Sequence, residues 1–195
     1  MAKKPPARAR TAGFIEVMEC LPVATFPEGS EWTYELKLDG YRMEVVREGT
    51  NTTLYSRRKN ILNEKFSYVA SALRSLPAGT VIDGELVAIG GYGKPNFNLL
   101  QNFRSAADSI IYYAFDILVY KERDLPLQPL SERREILRSV VVPTNHVALS
   151  EVSNHLLDVA RGCGRWETRS NSLLQCGTKR NARNHLAPSG RSPIS

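Results

Sequence analysis

Three short runs with apolar and polar residues alternating, YELKL, YRMEVV and TTLYS, lie between about positions 32 and 57 and are separated only by the turn signals DG and EGTN. Alternation at period two is the signature of a half-buried strand. Parallel neighbours need a crossover of about a dozen residues or more, and these connections are far shorter. The runs are therefore expected to pair as antiparallel hairpins. In the first run, the alternation puts Glu35, Lys37 and Asp39 on one face and Leu36 and Leu38 on the other.

Downstream the period changes. Phe66, Val69, Ala70, Leu73 and Leu76 follow helical spacing, Asn63 is the expected N-cap, and PAG stops the run. TVIDGELVAI reads as a strand ending at the turn GGYG, FNLLQNF as a short helix, and SIIYYAFDILVY as a strand buried on both faces. Ser131 is the expected cap of a helix through ERREILRSV, HVALS suits a strand, and Ser153 begins a helix NHLLDVARG that closes at Gly162. Irregular alternation of both element types, with hairpin turns between several strands, gives an α+β domain with largely antiparallel sheets rather than a doubly wound fold.

The ends differ from the middle. Residues 1–12 hold Lys3, Lys4, Arg8 and Arg10 among prolines and alanines and are expected to form a flexible basic arm. Residues 13–162 form the domain. Residues 163–195 have no sustained period and are expected to be a basic, poorly ordered tail.

A length of 195 residues, 42% of them hydrophobic, suits one domain with a tail. The net charge of +6 favours an anionic partner such as nucleic acid or nucleotide. Cys20, Cys163 and Cys176 lack the spacing of a zinc site or a disulfide framework, and no apolar run approaches a membrane span or the core of a signal peptide. A cytoplasmic protein with no membrane partner is expected. His146, His155 and His185 are too dispersed to suggest a metal cluster.

Lys37 is the residue that raises a chemical question. Free lysine, with a pKa of about 10.4, is an ammonium at neutral pH and cannot attack. Flanking carboxylates deepen that problem, so a nucleophilic lysine here needs a positive field from nearby cations or a metal. Alone, the segment also reads as a charged surface strand. Glu85 could likewise be a hairpin charge, Phe115 a core residue and Asp116 a strand-end carboxylate. An acid within so apolar a stretch nevertheless needs a partner, because burying an unpaired carboxylate costs several kcal/mol.

Taken in order, KLDGYR, SRRKN, DGELVA and YYAFDIL resemble the adenylation domain of ATP-dependent DNA ligases, most closely the bacterial ligases of double-strand-break repair. The likeness covers roughly residues 15–160. It implies a nucleotidyltransferase (ATP-grasp-like) domain of antiparallel sheets flanked by helices around an ATP cleft, working with Mg²⁺ or Mn²⁺ on nicked double-stranded DNA. By resemblance, Lys37 attacks the α-phosphate of ATP to form a lysine-AMP phosphoramidate. Glu35 and the backbone near Leu36 read the adenine edge, Phe115 stacks on the base, and Glu85 bonds the ribose or holds the metal. Asp39 and Gly40 complete the nucleotide motif, and Arg42 and Arg57 face phosphate or the nick. An RNA ligase or capping-type guanylyltransferase shares the lysine motif, but DGELVA and YYAFDIL fit the DNA ligases better. A non-catalytic nucleic-acid-binding remnant is the reading from a different class.

The chain also departs from that family. After the helix matching HLLDVARG, the family continues with Glu-Gly, a lysine, a Trp-x-Lys-x-Lys strand and an OB-fold domain. Here CGRWET follows, RSNSLLQCGTK returns to register, the tryptophan and paired lysines of that motif are not found, and an OB-fold is not expected. Register on both sides of a short mismatch points to a truncated or frameshifted C-terminal part, with impaired lysine-AMP formation and sealing.

Overall fold

The computed structural model describes residues 8–17, 35–36, 38–91, 95–102, 109–150 and 174–175. Its centre is a mostly antiparallel sheet of β2 (Tyr41–Glu48), β3 (Asn51–Ser56), β4 (Thr80–Ala88), β5 (Ile110–Tyr120) and β6 (Arg123–Asp124), in the order β3-β2-β4-β5-β6. A last strand, β7 (Val147–Leu149), pairs parallel with β5. A separate two-stranded ladder joins β1 (Glu35–Leu36) to β8 (Leu174–Gln175), antiparallel. Of the expected hairpins, the one across EGTN is present, with Glu48 paired to Asn51 across a two-residue loop. The one across DG is corrected: β1 pairs with β8, and the other neighbour of β2 is β4. Among the described residues, no helix is long and apolar enough to cross a membrane.

One face of the sheet carries the main core. Met43, Val45, Leu54, Ile82, Leu86, Ile110 and Tyr112 pack with Val69 and Ala70 of α1 (Ser67–Ala72), Leu100 of α2 (Phe97–Gln101), and Leu137 of α3 (Leu130–Val140). Gly84 is required there by close approach. A Cβ at this position would stand 2.5 Å from both the Tyr112 ring and the Tyr113 carbonyl oxygen. The space it leaves lets the Tyr112 hydroxyl donate to the Met43 carbonyl at 3.1 Å.

Two of the expected helix caps, Asn63 and Ser131, are corrected. Asn63 does not cap α1, whose N-cap is Phe66 without a side-chain bond. Instead its amide accepts from the Leu54 N–H at 2.8 Å and donates to the Thr52 carbonyl at 2.7 Å. β3 is the edge strand, and its outward backbone groups compete for an amide that sequence alone assigns to a helix end. Ser131 lies inside the first turn of α3, which starts from Pro129. The fixed φ of proline, here −54°, suits that entry. The expected short helix is α2, and the Asn96 side chain caps it by accepting from the N–H groups of Asn98 and Leu99.

β5 is not buried on both faces throughout. Tyr112 and Ala114 are buried, whereas Ile111, Tyr113 and Phe115 are only half-buried because their face opens beside the candidate site. The helix expected from Ser153 to Gly162 lies outside the described residues, as does the tail except for β8.

Residues 8–12, expected within a flexible arm, lie along the β6 end of the sheet. Ala9 bridges to Arg123, Arg10 donates its N–H to the Glu122 carbonyl, and its guanidinium pairs with Asp124 at 3.3 Å. Ala12 and Ile15 fill a second apolar cluster with Val46, Val81 and Leu118. The basic charge predicted exposure, and Arg8, Ala9 and Thr11 are exposed, but the backbone bonds to Glu122 and Asp124, the Arg10–Asp124 pair and the burial of Ala12 hold the segment in place.

This segment ends on a buried acid. Glu44 accepts the Ile15 N–H at 2.8 Å and is 3% exposed. Burial, the largest influence, raises its pKa from 4.5 to about 8; the Ile15 bond opposes this, Asp83 adds to it, and Arg10 and Arg42 oppose it. A carboxyl whose folded pKa exceeds its unfolded one takes up a proton on folding. Its contribution is full below the unfolded value and is lost as pH rises through about 8.

Two predictions test this architecture. Glu44→Gln keeps an acceptor for Ile15 and removes the titration, so the fall in stability from about pH 5 to about pH 9 should shrink by a few kcal/mol at about 1.4 kcal/mol per pKa unit. Urea unfolding at both pH values measures it, and an unaltered slope in the variant contradicts the assignment. Gly84→Ala should lower stability by about 3 kcal/mol, the upper part of the usual overpacking range. A loss near zero would show that Tyr112 and the β5 backbone move aside freely.

Candidate active site

On the side of the sheet away from the main core, cross-strand register aligns a polar row. Arg42 stands opposite Glu85, Glu44 opposite Asp83, and Glu85 opposite Tyr113. Side chains directly opposite on an antiparallel pair share a face. The period-two positions of β2 and β4 therefore bring one arginine and three acids together.

Arg42 organises the row. Its Nε and Nη2 donate to the two carboxylate oxygens of Asp83 at 3.2 and 2.7 Å, a bidentate fork. Its guanidinium carbon lies 5.7 Å from the centroid of the Phe115 ring, within cation–π range. Phe115 reaches this position through a bulge. Asp83 pairs with Asp116 and Gly84 with Ala114, which leaves Phe115 without a cross-strand partner. Bulges of this kind re-aim a side chain and bend the strand.

The acids are shifted by burial. Asp83 is raised by desolvation even though Arg42 opposes the shift, and Asp116 adds to it. Glu85 is raised to about 7, first by burial; Arg42 opposes, Asp83 adds, and the Gly40 N–H that it accepts opposes. Gly40 can donate so closely only without a side chain, since a Cβ there would meet the Leu86 carbonyl oxygen at 2.1 Å.

Glu35 joins the site from β1. Arg134 of α3 donates to Glu35 Oε1 through Nη2 and to the Phe115 carbonyl through Nε at 3.3 Å. Ser150 Oγ donates to Glu35 Oε2 at 3.5 Å. Arg133, one residue earlier, closes on both oxygens of Asp116 at 2.8 Å and donates to the Gln128 carbonyl at 2.6 Å. The partner that Asp116 required is thus an arginine from a helix.

Of the residues singled out in the sequence, Gly40, Arg42, Glu85 and Phe115 are in mutual reach, and Glu35 is tied to them through Arg134. The backbone of Leu36 pairs with Leu174, and Lys37 lies outside the described residues. Asp39 is exposed beside the Gly40 turn, where its charge pushes Glu85 upward, and Arg57 is exposed in the turn after the edge strand β3. Sequence reading missed Asp83, Arg133 and Arg134. Asp83 could have been found, because it precedes Glu85 by two and so shares its face. The arginines carry no such local signal.

Arg42, held by Asp83 amid several acids, can orient an anion, and the half-buried aromatic ring beside it offers a face for a planar ligand. Among the described residues, no three His, Cys, Asp or Glu side chains converge to hold a metal by themselves. A cation held jointly by Glu85 and ligand phosphates is compatible with that, since Mg²⁺ commonly takes only one or two protein carboxylates.

Comparison with known proteins places the chain among DNA ligases. LigD of Pseudomonas aeruginosa, a multifunctional non-homologous end joining protein, is 31% identical over 148 residues, covering 72% of this chain and 18% of that protein. The ligase domain of M. tuberculosis LigD superposes with a TM-score of 0.63 at 25% identity, over 79% of this chain and 50% of that one. Mycobacterial DNA ligase D complexed with ATP and MES gives 0.61 at 25% identity, with the same coverage of both chains. The chain therefore spans half of each of these structures and under a fifth of the P. aeruginosa protein. The family described as ATP dependent DNA ligase domain matches residues 16–158, and this chain belongs to it.

Proposed function

We propose that this chain carries out the first step of ATP-dependent DNA ligation, transfer of AMP from ATP to Lys37, for use on the 5′-phosphate of a nick in double-stranded DNA. The observation that carries the reading is the joining of Arg42, Asp83, Glu85 and Phe115 on one sheet face, with Glu35 linked to them through Arg134. In chain order, Lys37 falls between Glu35 and Gly40, both of which border that face. A structural neighbour complexed with ATP supports the choice of nucleotide.

Each residue has a physical task in this reading. Phe115 stacks on the adenine, Glu35 and the Leu36 backbone meet its edge, and Glu85 bonds the ribose. Asp39 and Gly40 shape the turn that follows the nucleophile, and Gly40 also orients Glu85. Arg42, steered by Asp83, faces phosphate, with Arg57 set to meet the DNA backbone. Mg²⁺ or Mn²⁺ would be held by Glu85 with the ATP phosphates and would neutralise charge on them. The lysine loses a proton and attacks in line, forming a nitrogen–phosphorus bond as pyrophosphate departs. A cytoplasmic setting belongs to the same reading.

The sequence CGRWET at 163–168, where the family has Glu-Gly and a lysine, removes charge-stabilising groups from this step. Losses of this kind typically cost about 10²-fold or more in rate. Incubation with α-labelled ATP and Mg²⁺ or Mn²⁺, followed by denaturing electrophoresis, should reveal label at well under one equivalent that vanishes in Lys37→Ala. Stoichiometric labelling would refute the impairment. Label persisting in the variant, or no label together with no ATP-dependent thermal stabilisation, would refute the assignment of the site.

A further inference from the structure

α3 places two consecutive arginines against two consecutive residues of β5. Arg133 takes the Asp116 side chain, and Arg134 takes the Phe115 carbonyl and reaches on to Glu35. Arg134 therefore touches both groups that the proposed nucleotide site directs at the base, the carboxylate for its edge and the backbone behind the stacking ring. The pair is shielded, with the Arg134 side chain 11% exposed and that of Glu35 15%.

We propose that Arg134 is a positioning residue that sets base selectivity, by fixing Glu35 as a hydrogen-bond acceptor toward a 6-amino purine. This rests on the reading of the site as an ATP site. A carboxylate only accepts, whereas a guanidinium only donates and stays charged throughout the accessible pH range. With Arg134 on Oε1 and Ser150 on Oε2, the carboxylate is held from both oxygens and still has lone pairs to spare. Adenine presents an amino donor to such a group. A 6-oxo purine presents a second acceptor, leaving two acceptors facing each other without a proton between them, and sites built around a buried polar partner reject such analogues strongly. The fork matters as much as the charge. One end holds Glu35 and the other holds the bulged backbone of Phe115, so edge and face recognition are kept in one geometry.

The test measures dissociation constants for ATP and inosine triphosphate by calorimetry on the full chain, with urea unfolding as the folding control. The parent should prefer ATP by about tenfold or more, the value of one hydrogen bond to a charged group. Arg134→Met should weaken ATP about tenfold while leaving inosine triphosphate within about twofold, collapsing the ratio. Arg134→Lys, which keeps the charge but cannot hold both partners, should give an intermediate ratio. Glu35→Gln should also collapse it, because an amide offers a donor to the 6-oxo group. A merely structural arginine would weaken both nucleotides alike, and that unchanged ratio would overturn the proposal. If Arg134→Met fails to fold, unchanged ratios in Arg134→Lys and Glu35→Gln overturn it equally. ATP binding by the parent with no preference defeats this inference alone, whereas no ATP binding defeats the reading of the site along with it.

Discussion

The buried fork between Arg133 and Asp116 is the constraint on which the site depends. Arg133 is 1% exposed, yet its guanidinium has both Asp116 oxygens and the Gln128 carbonyl as partners. A buried ion pair need not stabilise a fold more than packed apolar groups do, but removing one member leaves an uncompensated charge and costs about 3–5 kcal/mol. Its value here is geometric. It fixes α3 against β5 at the bulge that turns out Phe115, and so places Arg134 beside the Phe115 carbonyl. Two neighbouring helix positions thereby set both the strand irregularity and the second cation of the site.

The polar face has its own electrostatic economy. Glu44, Asp83 and Glu85 all lie near Arg42, and burial raises all three above their ordinary pKa values. With Glu85 at about 7 and Glu44 at about 8, the face carries less negative charge near neutral pH than its composition implies. That matters for any polyphosphate ligand. Three full carboxylates would repel it, whereas partial protonation of Glu44 and Glu85 lowers that repulsion and lets these two donate as well as accept.

Much of this was legible in the sequence because it follows from period. Runs alternating at two residues, with connections too short for crossovers, gave the β2-β3 hairpin and the antiparallel pairing, and they put Arg42 and Glu85 at positions able to share a face. Asp116 announced its need for a partner by its apolar surroundings. Its partner was not legible, because Arg133 lies 17 residues away on a helix whose rotation against β5 is a tertiary matter. The same holds for Arg134 and Glu35, 99 residues apart. Asn63 and Ser131 were misplaced for a local reason. Both are good cap residues, but an edge strand claimed one, and the helix began at a proline before the other.

The strand that carries Glu35 is short and is held by parts of the chain far from it. Its backbone pairs with Leu174–Gln175, and the Glu35 side chain is held by Arg134 and Ser150. Closing such long loops costs entropy that only the assembled domain recovers, so β1 takes its place by tertiary contacts rather than by local propensity. The mismatched stretch at 163–168 falls between α3 and β8 in the chain, that is, between two of the elements that hold β1. On the proposed reading, changes there act in two ways: by removing charged groups proposed to meet the phosphates, and by loosening the ladder that sets β1. The α3 route through Arg134 does not pass through that stretch. On the proposed reading, nucleotide recognition through Arg134 should therefore depend less on that stretch than phosphate chemistry does, except through the ladder that also holds Glu35.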